Sequence, residues 1–145
     1  MNFRIYAFSL IVSFSLFQCA SQKNKSGAWQ KSVEETYYNI WSTGMAPAGT
    51  GANFFVKFSK AEPITVKSFV VNGETLEVEI TQTDTETLVI GRRYTGPDLE
   101  KKNQEMPEFY KQQNFSGTLV ISNNNKNAII QISSFEHRQL EQNNL

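Results

Sequence analysis

Few side chains in this sequence could do chemistry without help from the fold. There is one histidine, His137, and one cysteine, Cys19, so a histidine-based metal site would need carboxylates as its other ligands. The two aspartates, Asp84 and Asp98, do not stand in the dense oxygen-ligand pattern of a calcium loop. The sequence therefore predicts no metal and no cofactor, and its spacing singles out no catalytic residue.

The densest group of cationic and aromatic side chains is Arg92, Arg93 and Tyr94. These residues could recognise an anionic glycan or a peptide carboxylate. The alternative is an exposed strand end whose arginines are balanced by nearby glutamates. Trp41 precedes a glycine-rich connection that lacks the lysine and the helix of a phosphate-binding loop. Trp41 could line a groove, or it could be a half-buried packing residue of a strand. Our candidate ligand-binding residues are therefore Trp41, Arg92, Arg93 and Tyr94.

Composition narrows the class of protein. The chain has 145 residues with 14 basic and 14 acidic side chains, which allows one domain, or one domain behind a leader. A nucleic-acid binder is expected to carry a basic excess, so the formal charge of zero argues against nucleic acid as a partner. A single cysteine excludes a disulfide within one chain.

The N-terminal 18 residues differ in composition from the rest. One positive charge, Arg4, precedes an apolar stretch over residues 5–17 that is interrupted only by serines. As a helix this stretch would span about 20 Å, which is short of the roughly 30 Å of a hydrocarbon core. Its length and order are typical of a secretion signal, so residues 1–18 are predicted to be a signal peptide.

The predicted signal peptide ends in Leu16, Phe17 and Gln18, and Cys19 comes next. These four residues resemble a bacterial lipobox, in which the cysteine is lipidated and becomes the mature N-terminus. Leu16 stands where that motif prefers leucine, whereas Gln18 replaces the usual small residue, a relaxation that is common in the Bacteroidota. The resemblance implies lipid attachment at Cys19, with the membrane as a partner through the lipid. The alternative is ordinary secretion with cleavage after Ser21.

Residues 20–28 are polar or small and have no apolar periodicity, so residues 19–30 are predicted to be a flexible tether. In lipoproteins of the Bacteroidota, a run of acidic residues after the cysteine resembles a surface-export signal. The charges here are Lys23 and Lys25. This favours an exported protein that is anchored to the outer membrane and faces the periplasm.

From Val33 onward, short segments alternate between apolar and polar residues, as half-buried strands do. Turn signals at Asn72-Gly73 and over residues 123–127 predict two hairpins. Residues 31–145 are therefore expected to form an all-β domain, an antiparallel β-sandwich of the immunoglobulin-like kind with about seven strands. A small barrel is the main competitor. The strands are predicted at residues 36–41, 53–58, 64–71, 76–81, 87–95, 118–122 and 128–134.

Two stretches, at residues 41–54 and 115–138, resemble small predicted lipoproteins of flavobacteria and related Bacteroidota whose function is uncharacterised. Together they cover less than a third of the chain. The resemblance implies an envelope location and a β fold, and it supplies no catalytic residues.

These observations favour a lipid-anchored, non-enzymatic module that binds or scaffolds an envelope protein or a glycan. The expected contact surface is residues 91–114 with the glycine-rich loop after Trp41, because binding residues concentrate on long loops presented by a rigid scaffold. The alternative is a small envelope hydrolase whose carboxylates meet only in the fold. A structural surface protein without a specific ligand is the third option.

Overall fold

The computed structural model describes residues 23–42, 49–96 and 106–139. The predicted signal peptide and the predicted lipid attachment site, Cys19, lie outside these ranges. The described elements are α1 (Lys23–Lys31), β1 (Val33–Ser42), β2 (Thr50–Phe58), β3 (Thr65–Val71), β4 (Glu74–Thr75), β5 (Glu77–Gln82), β6 (Thr87–Thr95), α2 (Glu108–Lys111), β7 (Gly117–Asn123), β8 (Lys126–Ile132) and β9 (Glu136–His137).

These strands form two packed sheets, one of five strands in the order β5-β6-β2-β1-β9 and one of four in the order β4-β3-β7-β8. Neighbouring strands are antiparallel except β9, which runs parallel to β1. The orders β1-β2-β6-β5 and β3-β7-β8 correspond to the two sheets of an immunoglobulin-like sandwich. The predicted fold class is confirmed, with nine described strands where about seven were expected. The two additional strands, β4 and β9, have only two residues each.

The first predicted hairpin is present but short. Asn72 and Gly73 have φ angles of 46° and 84°, both positive, as the tight turn between paired strands requires. After two paired residues, the backbone N–H of Leu76 donates to the carbonyl of Phe69 at 2.9 Å. The Leu76 side chain enters the core, and the chain crosses to the other sheet as β5. The continuous strand predicted over residues 76–81 therefore begins only at Glu77.

The second predicted hairpin joins β7 and β8. Asn124 and Asn125 form its turn with φ angles of 48° and 60°, which asparagine tolerates better than most side chains. Beyond β8, the side chain of Phe135 enters the core and the chain crosses to the five-stranded sheet, where β9 pairs with Tyr37 and Tyr38 of β1.

Helix α1 occupies most of the segment where the sequence predicts a flexible tether. Trp29 is only 4% exposed, and its ring meets the edge of Phe58 at 5.4 Å between centroids. The Gln30 side-chain amide donates to the carbonyl of Gln131 at 3.0 Å and accepts from its N–H at 2.8 Å. The Gln30 side chain therefore forms the two backbone hydrogen bonds that a neighbouring strand would form with Gln131. This covers part of the free edge of the four-stranded sheet at β8. A single apolar anchor leaves no periodicity, so the sequence pattern did not indicate this helix.

The core between the sheets is dominated by phenylalanine. Phe54 is fully buried on β2, and the rings around it belong to Tyr38, Phe109, Phe115 and Phe135. Most of these contacts are edge-to-face, the arrangement that aromatic quadrupoles prefer. The inward side of the five-stranded sheet is therefore closely packed, and the alternate residues of its strands point outward.

Candidate functional site

The structure separates the predicted group on β6 because successive strand residues point to opposite faces. Arg92 and Tyr94 point outward, to the same face as Trp41. Arg93 points to the other face, where its guanidinium lies 5.9 Å from the Phe109 ring and 3.5 Å from a carboxylate oxygen of Glu74. Its Nε is buried without a hydrogen-bond partner. Three of the four predicted ligand-binding residues therefore share one surface.

Trp41 and Tyr94 meet across the central strand β2. Trp41 pairs with Gly51, and Gly51 pairs with Tyr94 on its other side. The two aromatic rings are nearly parallel, with planes at 16° and centroids 5.7 Å apart. Tyr94 is 56% exposed and Trp41 is half-buried. The two rings stack on each other on the outside of the sandwich, and this stacked pair is called the plate.

Two glycines make room for this plate. A Cβ atom at Gly51 would lie 2.2 Å from the indole of Trp41, and one at Gly49 would lie 2.4 Å from the ring of Tyr94. Neither glycine has a left-handed φ, so the backbone does not require glycine at these positions. Glycine inside a strand costs about 0.5–1 kcal/mol of stability, and it often marks a close approach by another group. Here the approaching groups are the two rings.

A polar row lies next to the plate, two residues along each strand and therefore about 7 Å away. The side-chain amide of Asn53 donates to the amide oxygen of Asn39 at 3.2 Å. Asn53 also pairs across the strands with Arg92, whose guanidinium forms an ion pair with Glu79 on β5. The row combines amide donors, amide acceptors and a guanidinium whose charge is balanced.

A second aromatic pair follows at the next outward position. The rings of Tyr37 and Phe55 are stacked, with centroids 4.5 Å apart and planes at 9°. The guanidinium of Arg138 covers the Tyr37 ring at 4.1 Å and contacts Glu35 at 2.8 Å. Hydrogen bonding from Arg138 lowers the pKa of the Glu35 carboxyl below its ordinary value. The outward residues of these three rows, Tyr37, Asn39, Trp41, Asn53, Phe55, Arg92 and Tyr94, are called the aromatic face.

The cations on and around the aromatic face are held by glutamates. Besides Arg92 and Arg138, Lys57 lies 2.9 Å from Glu86 and 3.5 Å from Glu34. The hydrogen bond to Glu86 is the main reason why the pKa of Lys57 is raised. These arginines and this lysine are already neutralised, so the expected recognition of an anionic group through Arg92 is not favoured.

An open groove of about 420 Å³ lies in a different place, beside the first hairpin turn. Its main polar side chain, Asn72, donates to Gln112 and to the carbonyl of Asn114, and accepts from the N–H of Ser116. These bonds tie the turn to the segment before β7. The groove is therefore explained by loop packing, and its amide is already used by the protein.

Two parts of the expected contact surface, residues 43–48 of the glycine-rich loop and residues 97–105, lie outside the described ranges. In α2, which follows, Phe109 and Tyr110 are buried, and the Tyr110 hydroxyl lies 2.8 Å from that of Thr95. Helix α2 therefore belongs to the core. The Asn39–Asn53 and Tyr37–Phe55 pairs were not predicted from the sequence. A usable signal was present, because Tyr37, Asn39 and Trp41 alternate with the inward Tyr38 and Ile40.

Among the described residues, no group of three histidine, cysteine or acidic side chains could hold a metal ion. In the same ranges, no helix has the length and apolar character needed to cross a membrane. His137 is exposed on β9, with its ring 5.0 Å from that of Tyr38.

Comparisons with protein-family models, curated proteins and solved structures found no match. Function is therefore inferred from the geometry of the aromatic face.

Proposed function

We propose that the chain is a non-enzymatic binding domain whose ligand docks on the aromatic face. The observation that carries this proposal is the plate of Trp41 and Tyr94, laid over glycines and open to solvent. Large aromatic rings with polar edges are the side chains most enriched at binding hot spots. Neither the core nor the turn geometry requires this pair, so a ligand gives the simplest reason for its place.

The scaffold beneath the plate supports the same proposal. Strand β2 is paired along its length with β1 and β6, so its backbone is fixed on both sides. Its inward residues Ala52, Phe54 and Val56 are fully buried. A surface held in this way loses little conformational freedom when a ligand binds, which favours affinity.

No specific observation favours the envelope hydrolase considered from the sequence. That activity needs a pair of carboxyl groups that face each other across a substrate. The glutamates in ion pairs around the aromatic face instead contact cations; they are Glu34, Glu35, Glu79, Glu86 and Glu136.

We further propose that the domain is exported and anchored by lipid on Cys19, facing the periplasm. The lipobox resemblance supports this proposal. If Cys19 carries the lipid, three residues lie between it and the start of α1 at Lys23, and the four steps from Cys19 to Lys23 span at most about 14 Å. The domain would then stay close to the membrane surface, with little freedom to move away.

The anchor is tested by Cys19→Ala in cells that are fed labelled palmitate. We expect the label to disappear from the protein and the protein to leave the membrane fraction, because the thiol is the attachment point. Ser21→Ala is the control and should keep both properties. Unchanged labelling of Cys19→Ala would contradict the lipid anchor.

The binding face is tested by photo-crosslinking in cells. A photoreactive phenylalanine analogue replaces Tyr94 in one variant and Ile129 in another; these residues are 56% and 50% exposed. Ile129 lies on the outside of the four-stranded sheet. We expect adducts with envelope material from position 94 and none from position 129. No adduct from position 94, or equal adducts from both positions, would contradict the proposal.

A further inference from the structure

We propose that the ligand of the aromatic face is an uncharged polysaccharide chain whose sugar rings stack on Trp41 and Tyr94. This inference rests on the proposed function and adds the chemical class of the ligand. Three features carry it: the geometry of the rings, the polar row beside them and the balance of charge around them.

The plate matches the shape and polarity of a sugar ring. One face of a pyranose presents several C–H groups, whose small positive charges are attracted to the negative face of an aromatic ring. Trp41 and Tyr94 stack on each other, with planes at 16° and centroids 5.7 Å apart, and Tyr94 is 56% exposed, so a sugar ring could rest on the solvent-facing side of the pair. The indole N–H and the phenol hydroxyl lie at the ring edges and add hydrogen-bonding groups there.

The polar row supplies partners for sugar hydroxyls. A hydroxyl both donates and accepts, and an asparagine amide offers the complementary pair of groups. Asn39 is buried, and its amide oxygen accepts a 3.2 Å hydrogen bond from the half-buried Asn53, which orients the Asn53 amide. The Asn53 amide lies about 7 Å from the plate along the strand, within the length of a short oligosaccharide.

The charge balance favours an uncharged chain over an anionic one. Each of the three cations around the face, Lys57, Arg92 and Arg138, is paired with a glutamate. Glu77 lies opposite Arg92 on β5 and adds further negative charge. An anionic glycan would have to displace these glutamates and would be repelled by them.

The backbone beneath the plate does not favour a peptide ligand. A peptide that extends a sheet needs a free strand edge, and β2 has β1 on one side and β6 on the other. Because the backbone of β2 is already paired, a ligand at this face would contact the aromatic rings and the asparagine amides. These groups suit a chain of rings and hydroxyls.

The test is affinity electrophoresis of the full-length protein, purified from membranes in detergent. The native gels contain hydroxyethylcellulose, xylan or galactomannan as uncharged polysaccharides, and alginate or polygalacturonate as anionic ones. We expect at least one uncharged polysaccharide to retard the protein and the anionic ones to have no effect. No retardation by any uncharged polysaccharide, or stronger retardation by an anionic one, would overturn the inference.

Four variants locate the binding. Trp41→Ala and Tyr94→Ala should each weaken retardation at least tenfold. Tyr94→Phe keeps the aromatic ring and should therefore keep most of the retardation. Val78→Ala is the matched control, because Val78 is 37% exposed on the same sheet but on its inward side. Should Trp41→Ala fail to fold, Tyr94→Ala and Tyr94→Phe decide the question. Retardation that is equal in wild type and Tyr94→Ala would overturn the inference.

The two proposals can fail separately. If no polysaccharide binds but the photoreactive residue at position 94 still gives adducts that position 129 does not, the glycan inference is wrong and the binding face stands. If position 94 gives no adducts and no polysaccharide binds, both are wrong.

Discussion

The outward faces of the two sheets follow the same alternation but carry different side chains. The outward residues of the four-stranded sheet are small, aliphatic or polar, such as Val70, Thr118, Val120, Ile129 and Gln131, and none at the described strand positions is aromatic. The five-stranded sheet instead presents two pairs of aromatic rings. Both sheets have a well-packed inner side. Core packing therefore does not explain why only the outer side of the five-stranded sheet carries aromatic rings at its described strand positions.

The glycines sharpen this comparison. Gly51 and Gly91 lie on neighbouring strands, and in both a Cβ atom would collide with side chains. At Gly91 those side chains are the buried Leu76 and Phe69, so the glycine serves core packing. At Gly51 the neighbour is the outward Trp41. A stable sandwich does not need a glycine at that outward position, so Gly51 is explained by the Trp41 ring above it and not by the core.

The largest expected effect separates the two sides of β2. Phe54 is fully buried, whereas Phe55 is half-buried outside, stacked on Tyr37. We expect Phe54→Ala to lower the free energy of unfolding by about 3–5 kcal/mol. Phe55→Ala should cost about 0.5–1.5 kcal/mol from the lost ring pair. Chemical denaturation of the two variants measures both values, and equal losses would contradict the inside–outside assignment.

A second pair of variants compares the two glycines. Gly91→Ala should lower the free energy of unfolding by about 1–3 kcal/mol, because the new methyl group overpacks a closed core. Gly51→Ala should change stability less, since the Trp41 ring can swing toward solvent, but it should abolish ligand binding. Denaturation and affinity electrophoresis together give the two readouts. Loss of binding in Gly91→Ala with retention in Gly51→Ala would reverse the expected assignment.

The smallest expected effect is electrostatic and lies at the rim of the aromatic face. The pKa of Glu35 is lowered by Arg138, so the stabilisation from this pair is present above the ordinary glutamate pKa. It is lost as the pH falls through the lowered value. Thermal unfolding of wild type and Glu35→Gln should therefore differ near neutral pH, and the difference should shrink as the pH falls below the ordinary glutamate pKa of about 4.3. A gap that stays constant across this range would contradict the ion-pair assignment.

Alternation and turn chemistry were enough to predict the sandwich. The strand predicted at residues 87–95 has the bounds of β6, the Asn72-Gly73 turn adopts the expected positive φ angles, and the second predicted turn is present at Asn124 and Asn125. The alternation of apolar and polar residues could not predict that the chain crosses between the sheets at Leu76, or that it forms the short strand β9. A crossing depends on whether the core has room for a side chain at that point. Helix α1 was missed since, among its described side chains, Trp29 is the one that belongs to the core.

The candidate site was predicted only in part, for a related reason. Arg92, Arg93 and Tyr94 are neighbours in sequence, but the pleat divides them between two faces. The pairing of Trp41 with Tyr94 depends on the register of three strands, and no sequence spacing records that register. The role of Gly51 becomes visible only when the ring above it has been placed.

The central claim, that a ligand covers the plate of Trp41 and Tyr94, is tested most directly by tryptophan fluorescence. The chain has two tryptophans, so Trp29→Phe leaves Trp41 as the single reporter. On titration with the polysaccharide that retards the protein most, we predict a blue shift of Trp41 emission and reduced quenching by acrylamide. Unchanged emission and unchanged quenching at saturating polysaccharide would contradict the account.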